Sequence, residues 1–318
     1  MNCPTCQSEQ TKRFGKDRKG NQRYRCVACG KAFQEERDKL LGEMILAIEK
    51  AESVLRHLVE GCSIRSTERL TGVHRDTILS LLEVVGEKCE RLSEEMIQGL
   101  PVKDVQCDEI WGFCQMKQKT KHDKGRDDDE TIGDAWCFTA IEQHTKLILA
   151  WHLGKRTAQD TEVFTEKLGR ATSGHFQINT DGLASYKEAI IYSLGTRVDF
   201  AQIIKVFGRP EGEEQRYSPP QVIDMKKIAV HGQPNLEKAT TSHNERMNLT
   251  TRMQMRRMTR LTNGFSKKWL NLRYAYALHF FYYNFMRVHS TLRVTPAMEA
   301  GIANCIWTWR DLLAATQD

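Results

Sequence analysis

Between Glu245 and Glu299 the chain carries no acidic residue, while ten basic ones fall in that interval: Arg246, Arg252, Arg256, Arg257, Arg260, Lys267, Lys268, Arg273, Arg287 and Arg293. This absence excludes an ordinary solvated helix face, on which Glu–Lys pairs at i,i+4 support one another. The charge of "HNERMNLTTRMQMRR" is therefore read as meant for an external anion. An uninterrupted apolar run is missing too. "WLNLRYAYALHFFYYNFMRV" is broken by Arg273, His279, Asn284 and Arg287, which argues against a membrane span. "MNCPTCQSEQ" lacks a charged start followed by an apolar stretch, so no signal peptide is expected and the cytoplasm is the expected location. Residues 38–98 contain no proline, and nothing there interrupts a helical reading.

What is present sorts into modules. A chain of 318 residues with 40% hydrophobic content can bury one sizeable core and carry one or two small modules beside it. The net charge of +6 is modest, but it is clustered: residues 1–34 hold eight Lys and Arg against Glu9 and Asp17 alone. Clustered cations are the electrostatic footprint of nucleic-acid binding. The ten cysteines of an intracellular chain are expected to be ligands or core fillers rather than disulfides. Four of them form "CPTC" (Cys3, Cys6) and "CVAC" (Cys26, Cys29), separated by 19 residues, the spacing of a structural zinc site. Four thiolates close the tetrahedral shell of Zn2+, and the metal supplies folding energy that a segment of about 35 residues cannot find in a core of its own. Residues 1–36 are thus expected to be a zinc ribbon. Between the knuckles runs "KRFGKDRKGNQRYR", in which Lys12, Arg13, Arg23 and Arg25 are candidate DNA-backbone contacts. The alternative is a solvated hairpin whose Phe14 and Tyr24 pack beside the metal.

Residues 37–98 read as a helical module. "DKLLGEMILAIEKAESVLRHLVEG" sets Leu41, Ile45, Ile48 and Leu55 at helical spacing. In "CSIRSTERLTGVHRDTILSLLEVV", Ser63 caps a short helix ending at Gly72, and a second helix begins after a tight turn. Two short helices joined through a glycine predict a helix-turn-helix, with His74, Arg75 and Thr77 at the exposed start of the groove-reading helix. An ordinary helical hairpin is the alternative. Cys62 and Cys89 are read as small buried hydrophobes.

From "GLPVKDV" (99–105) onward the texture changes to strand, predicting a larger α/β domain over 99–318. "VKDVQCDEIWGFCQM" is a strand with Asp108 near its middle, and the loop after it tips a hairpin. "AWCFTAIEQ" and "KLILAWHLGK" are the next two strands, and "TAQDTEVFTEKLGRATSG" is an amphipathic helix. "HFQINTDG" is a fourth strand ending at Asp181, and "TRVDFAQIIKVFG" a fifth. Three strands, a helix, a strand, a helix and a strand is the order of a ribonuclease H-like sheet, in which the first and fourth strands are neighbours. Asp108 and Asp181 would then converge and share a divalent cation, for which hard oxygen ligands suit Mg2+. Glu245 stands 64 residues after Asp181. On a helix it shares a face, within about 20°, with Arg252 and Arg256, so that one carboxylate ligates metal and the arginines hold phosphates. Glu109 is expected to point to the opposite face of its strand. The "DDDE" run at 127–130 is read as a solvated loop and His231 as a satisfied loop histidine. The aromatics Trp269, Tyr276, Phe280 and Tyr283 are expected to pack on the sheet.

Through "CPTC…RYRCVACGKAF", "CDEIWGF", "TDGLASY", "SHNERMNLTTRMQMRRMTRLTNGFSK" and the closing "YYNFMRVHSTLRVTPAMEAGI", the chain resembles, nearly end to end, the DDE transposases of the insertion sequence 1 family. The resemblance implies Asp108, Asp181 and Glu245 as the metal-binding triad, with Arg252 as a basic helper; from the charge pattern itself Arg246 and Arg256 are further candidate DNA contacts. The resemblance implies cleavage at terminal inverted repeats, assisted by two Mg2+ ions (or Mn2+), then attack of the freed 3′-hydroxyl on target DNA. It further implies a homo-oligomer in the synaptic complex and an association with the nucleoid. Leu183 stands in "TDGLASY" where the family leads one to expect an aromatic. Two rival readings remain: a DNA-binding regulator that kept this architecture without the reaction, and a non-transposing nuclease.

Overall fold

A computed structural model of the chain describes residues 2–16, 22–34, 40–42, 44–208 and 221–315. The chain divides into two compact units, Met1–Glu43 and Met44–Asp318.

The first unit is built on a three-stranded antiparallel sheet of β1 (Thr11–Lys16), β2 (Gln22–Cys26) and β3 (Ala32–Gln34) in that order. It has little core. Tyr24 stacks on Phe33 with ring centroids 6.1 Å apart, while Phe14 stays 41% exposed with the guanidinium groups of Arg23 and Arg25 over its ring.

The second unit opens with α1 (Ile48–Val59), which buries Ala51, Val54, Leu55 and Val59 along one stripe. The helix does not extend back as its spacing predicts. Leu41 lies in a turn, where it is nonetheless buried, and Ile45, 70% exposed, precedes the helix, so 41–48 does not form a helical stripe. Nor is the run continuous: Gly61, at φ +81°, ends α1 where any Cβ would meet the Met253 carbonyl at 2.7 Å. Ser63 Oγ then accepts from the Ser66 amide and starts α2 (Ile64–Thr71), which stops at Gly72 in the left-handed conformation. After Val73 and His74, α3 (Arg75–Met96) begins, its first amide donating to Glu68 Oε1 at 2.9 Å.

After the short β4 (Leu100–Pro101) come β5 (Asp104–Cys114), α4 (Gln118–Asp123), β6 (Gly133–Glu142) and β7 (Ile148–Gly154). Helix α5 (Ala158–Ala171), with a Thr157–Asp160 capping box, leads through β8 (Thr172–Ser173) to β9 (Phe176–Thr180). Then follow α6 (Tyr186–Leu194), β10 (Val198–Gly208), β11 (Gln221–His231) and α7 (Ser242–Gln254). The main sheet has the order β11-β10-β9-β5-β6-β7. Strands β5, β9 and β10 run parallel to one another; β6, β7 and β11 pair antiparallel. Strand β11 was not foreseen. Its side chains, Val222, Ile223, Met225 and Ile228 among them, are largely exposed at a sheet edge, so no buried face imprints an alternation on the sequence.

Side-chain alternation gives the sheet two covered faces. Phe138 of β6 meets Phe164 of α5 and Tyr186 of α6 at 5.6 and 6.3 Å. On the other face Trp151 of β7 meets Tyr276 and Phe280 of α8 (Trp269–Phe281) at 6.3 and 5.8 Å. The aromatic helix thus packs on the sheet. Past a π-helical turn (Tyr282–Met286), α9 (Pro296–Glu299) and α10 (Trp309–Ala314) close the described chain, Tyr282 stacking on Trp309 at 5.8 Å.

Helix α8 also lies along α3, so the helical segment and the sheet share one compact unit. Arg273 clasps Glu90 with two donors, each at 2.9 Å. The helices touch most closely at Gly86, where an added Cβ would stand 2.4 Å from Tyr274 Cβ. Gly86→Ala is expected to push the helices apart and lower stability by about 2–3 kcal/mol, despite alanine's better helix propensity. A thermal melt of the variant would refute this if its midpoint matched or exceeded that of the parent.

Candidate functional site

Two clusters carry chemistry. In the first, the Sγ atoms of Cys3, Cys6, Cys26 and Cys29 all lie within 4.8 Å of one another, with Cys3–Cys29 and Cys6–Cys26 both at 3.6 Å. Tetrahedral Zn2+ with bonds of about 2.3 Å requires sulfur–sulfur edges of about 3.8 Å, so the four thiols fit the ion. The Cys29 amide points at Cys26 Sγ (3.4 Å), supplying the backbone donor that a thiolate favours. The other cysteines of the chain are free, and Cys89, Cys107, Cys114 and Cys137 are buried.

The second cluster sits where β5 and β9 run side by side. Their parallel register pairs Cys107 with Thr180, so Asp108 and Asp181 are the next residues on each chain. The carboxylates of Asp108, Glu109 and Asp181 approach within 4.8 Å of one another. Glu109 is a correction: it alternates to the α5/α6 face as expected, yet its carboxylate still reaches the two aspartates. Arg156, which follows β7, holds it there, with Nη2 3.1 Å from Glu109 and 3.7 Å from Asp181.

Glu245 stands apart from this trio. It lies in the first turn of α7, accepting from Thr241 Oγ1 at 2.8 Å and paired with Lys205 of β10. Helix α7 is nonetheless fastened across the site. Asn244, fully buried, donates to the carbonyls of Gln106 and Thr139 and accepts from Thr139 Oγ1. One turn on, Asn248 Nδ2 donates to Asp108 Oδ2 at 2.8 Å. Gln106, Arg156, Lys205, Asn244 and Asn248 went unrecognised in the sequence, whereas Glu109 stood out beside Asp108 and was assigned to the other face. Only Asn248 left a signal, its i+3 spacing from Glu245.

Burial raises the Asp108 carboxyl to about 7, and the charges of Asp181 and Glu245 add to the effect. Burial, then Asp181, raises Glu109 to about 8, against the opposing pull of Arg156. An acid whose pKa rises on folding opposes folding once it is ionised. In metal-free buffer the Asp108 contribution is therefore present below its ordinary value of 3.8 and lost as pH rises through about 7. Asp108→Asn should accordingly gain on the parent protein by on the order of 4 kcal/mol between about pH 4 and pH 8. Urea melts at the two pH values would contradict this if the difference between the proteins stayed constant.

The predicted DNA contacts fare unevenly. Lys12, Arg13 and Arg25 are exposed on β1 and β2, and Arg23 is half-buried. His74 and Arg75 are exposed at the start of α3, where His74 Nδ1 caps the Asp76 amide; Thr77 is half-buried. Arg246 is exposed on α7. Arg252 turns inward instead, donating to the carbonyls of Met258 and Trp111 at 3.1 Å each. Helix α7 ends at Gln254, so Arg256 falls on the following 3-10 turn and the shared face with Glu245 ends at Arg252. His231 closes β11, and Asp127, Asp128 and Glu130 are exposed.

Residues 1–30 match the InsA N-terminal domain, a zinc ribbon. Over 88 residues the chain is 30% identical to the insertion element iso-IS1N protein InsA of Shigella dysenteriae, a stretch amounting to 26% of this chain and 88% of that protein. This chain belongs to the InsA family of insertion-element proteins. The four close thiols are the metal site of that ribbon, and Zn2+ is its structural ion. The shared stretch is a minority of this InsA-family chain. Among the described residues no helix is long and apolar enough to cross a membrane.

Proposed function

We propose that the chain is the transposase of an insertion element, cutting DNA at terminal inverted repeats and joining the freed ends to target DNA by metal-dependent phosphoryl transfer. One observation carries this reading: Asp108 on β5 and Asp181 just past the end of the adjacent parallel β9 bring their carboxylates together, under a helix that bears Glu245 and is bonded to Asp108 through Asn248. We read the sheet as ribonuclease H-like, and α2 with α3 as a helix-turn-helix that shares repeat recognition with the ribbon. Synapsis of two ends requires at least a dimer during reaction.

The donor set fits Mg2+ or Mn2+. It consists of hard oxygens, and Glu109 Oε1 is buried without a hydrogen-bond partner. Burial, and after it the crowding of like charges, raises these acids, a penalty that a divalent cation relieves. Asp108 and Asp181, with Glu109 beside them, would hold the metal, and Glu245 would join them on exchanging Lys205 for the cation; the bound metal would activate a water and stabilise the leaving oxygen. The chain's own groups position the rest. Asn248 and the Glu109 amide each engage one oxygen of Asp108, fixing its carboxylate. Arg156 ties Asp181 to Glu109, and Lys205 balances the charge of Glu245. Exposed cations along 246–268 would grip the DNA backbone, making affinity steeply salt-dependent.

The regulator reading draws on the pairing of Glu245 with Lys205 instead of the aspartates. Purified protein, Mg2+ and labelled DNA bearing candidate terminal repeats separate the two readings. Cleavage and joining by the parent protein that vanish in Glu245→Gln support the transposase. Specific binding without reaction in either protein supports the regulator, and equal activity in both removes Glu245 from the site.

A further inference from the structure

A cleft of about 850 Å³ opens within the second unit, away from the carboxylates, between α1–α3 and the segment from Gln254 to His279. Its size is that of a small-molecule site. Six cations line it, Arg65, Arg75, Arg256, Arg257, Lys267 and Lys268, against the single acid Asp76. The rest of the wall is largely apolar, with Leu58, Leu79, Leu82, Phe265 and Leu278.

Arg257 is the unusual member. Its Nη1 donates to Ser266 Oγ at 2.7 Å, while its Nη2 is buried with no partner, and no carboxylate pairs with it among the described residues. Burial lowers its pKa to about 10, which leaves it charged at neutral pH. A buried cation without a counter-charge is costly, and an anion seated beside it would relieve that cost. Asn271 and His279, also on the wall, likewise each have a buried polar atom without a partner. The site therefore pairs an uncompensated positive charge with an apolar wall. A bare inorganic anion would leave that wall uncovered; a phosphate carrying a flat, weakly polar group fills both parts.

We propose that this cleft holds one nucleotide of a bound DNA strand, its phosphate toward Arg257 and the rim lysines and its base, out of the stack, against the apolar wall. The proposal rests on the DNA-binding reading above for its choice of ligand. It adds a pocket that grips a single nucleotide, where that reading has only a charged surface along the backbone. Unstacking is least costly at a strand end or a single-stranded junction, so the pocket favours such DNA over continuous duplex.

The test uses the full zinc-loaded chain and isothermal titration with the 5′-phosphorylated trinucleotide of deoxyadenosine, against deoxyadenosine monophosphate, deoxyadenosine and inorganic phosphate. Trinucleotide binding is expected to be at least tenfold tighter than that of each smaller probe. It should weaken tenfold or more in the exposed-rim variant Lys267→Gln/Lys268→Gln, whose melting temperature should equal the parent's. Arg257→Gln should weaken it further, and if that variant misfolds the rim variant still decides. Phosphate binding as well as the trinucleotide overturns the nucleotide pocket, and the monophosphate doing so overturns the strand as its source. Duplex DNA titrated in parallel separates the two claims. Duplex binding without trinucleotide binding sinks the pocket and spares the DNA reading; loss of both sinks both.

Discussion

Asp108→Asn and Asp181→Asn should each reduce metal-dependent DNA cleavage by roughly a thousandfold or more, while DNA affinity without metal stays within a fewfold of the parent's. The two aspartates are adjacent in register and project into the same carboxylate group. Replacing either by an amide keeps the shape and removes an anionic ligand. Asn248→Ala provides the graded comparison. It leaves all the carboxylates but releases Asp108 Oδ2 from its 2.8 Å donor. Loss of a partner that only orients a ligand costs on the order of 10–100-fold, so this variant should fall between parent and Asp108→Asn. Single-turnover cleavage of end-labelled DNA at saturating protein measures all three. Aspartate variants that cleave at the parent's rate would end the metal-site assignment. An Asn248→Ala rate equal to the parent's would end the positioning role alone.

Stripping zinc should unfold the first unit. The four thiols are its tightest cluster, and apart from the Tyr24–Phe33 stack it has little apolar packing. The binding free energy of a structural zinc site, roughly 10–16 kcal/mol, is then nearly all of its folding free energy. Cys26→Ser, or a strong chelator, is expected to erase the β1–β3 hairpin signals in an amide spectrum and to open residues 1–43 to protease. The second unit, with its own aromatic core on both faces of the sheet, should melt as before. Persistence of the β1–β3 amide signals after zinc is shown to be gone would refute this account. DNA affinity should drop with the ribbon if Lys12, Arg13, Arg23 and Arg25 carry backbone contacts.

Much of the fold could be read ahead because its signals are local. The two CxxC knuckles announce tetrahedral thiolates by spacing alone. Ser63 and Gly72 mark helix ends through caps and backbone conformation available within a few residues. Strands β5, β6, β7 and β9 showed through their buried apolar residues. Where the surroundings override local pattern, the reading failed. Leu41 and Ile45 keep helical spacing without a helix: Leu41 is buried from a turn and Ile45 is exposed, so the two do not share a packed face. The exposed β11 left no periodic trace.

The carboxylate site divides along the same line. That acids at 108, 181 and 245 stand out as a set was legible, since one ends a strand and another opens a helix stripped of other acids. Which of them meet depends on register and on packing across long sequence separations. The β5/β9 pairing brings Asp108 to Asp181, and Arg156 draws in Glu109 from the opposite face. Lys205 engages Glu245, and Arg252, two turns on, is spent on the carbonyls of Trp111 and Met258. The amino-acid sequence by itself determined the zinc ligands, the alternation of strands and helices, and the concentration of positive charge after Glu245. Those are properties of neighbours along the chain. Only the tertiary structure decided which charges find partners and which, like Arg257, remain uncompensated, because a buried charge is answered by whatever the fold brings within a few ångströms of it.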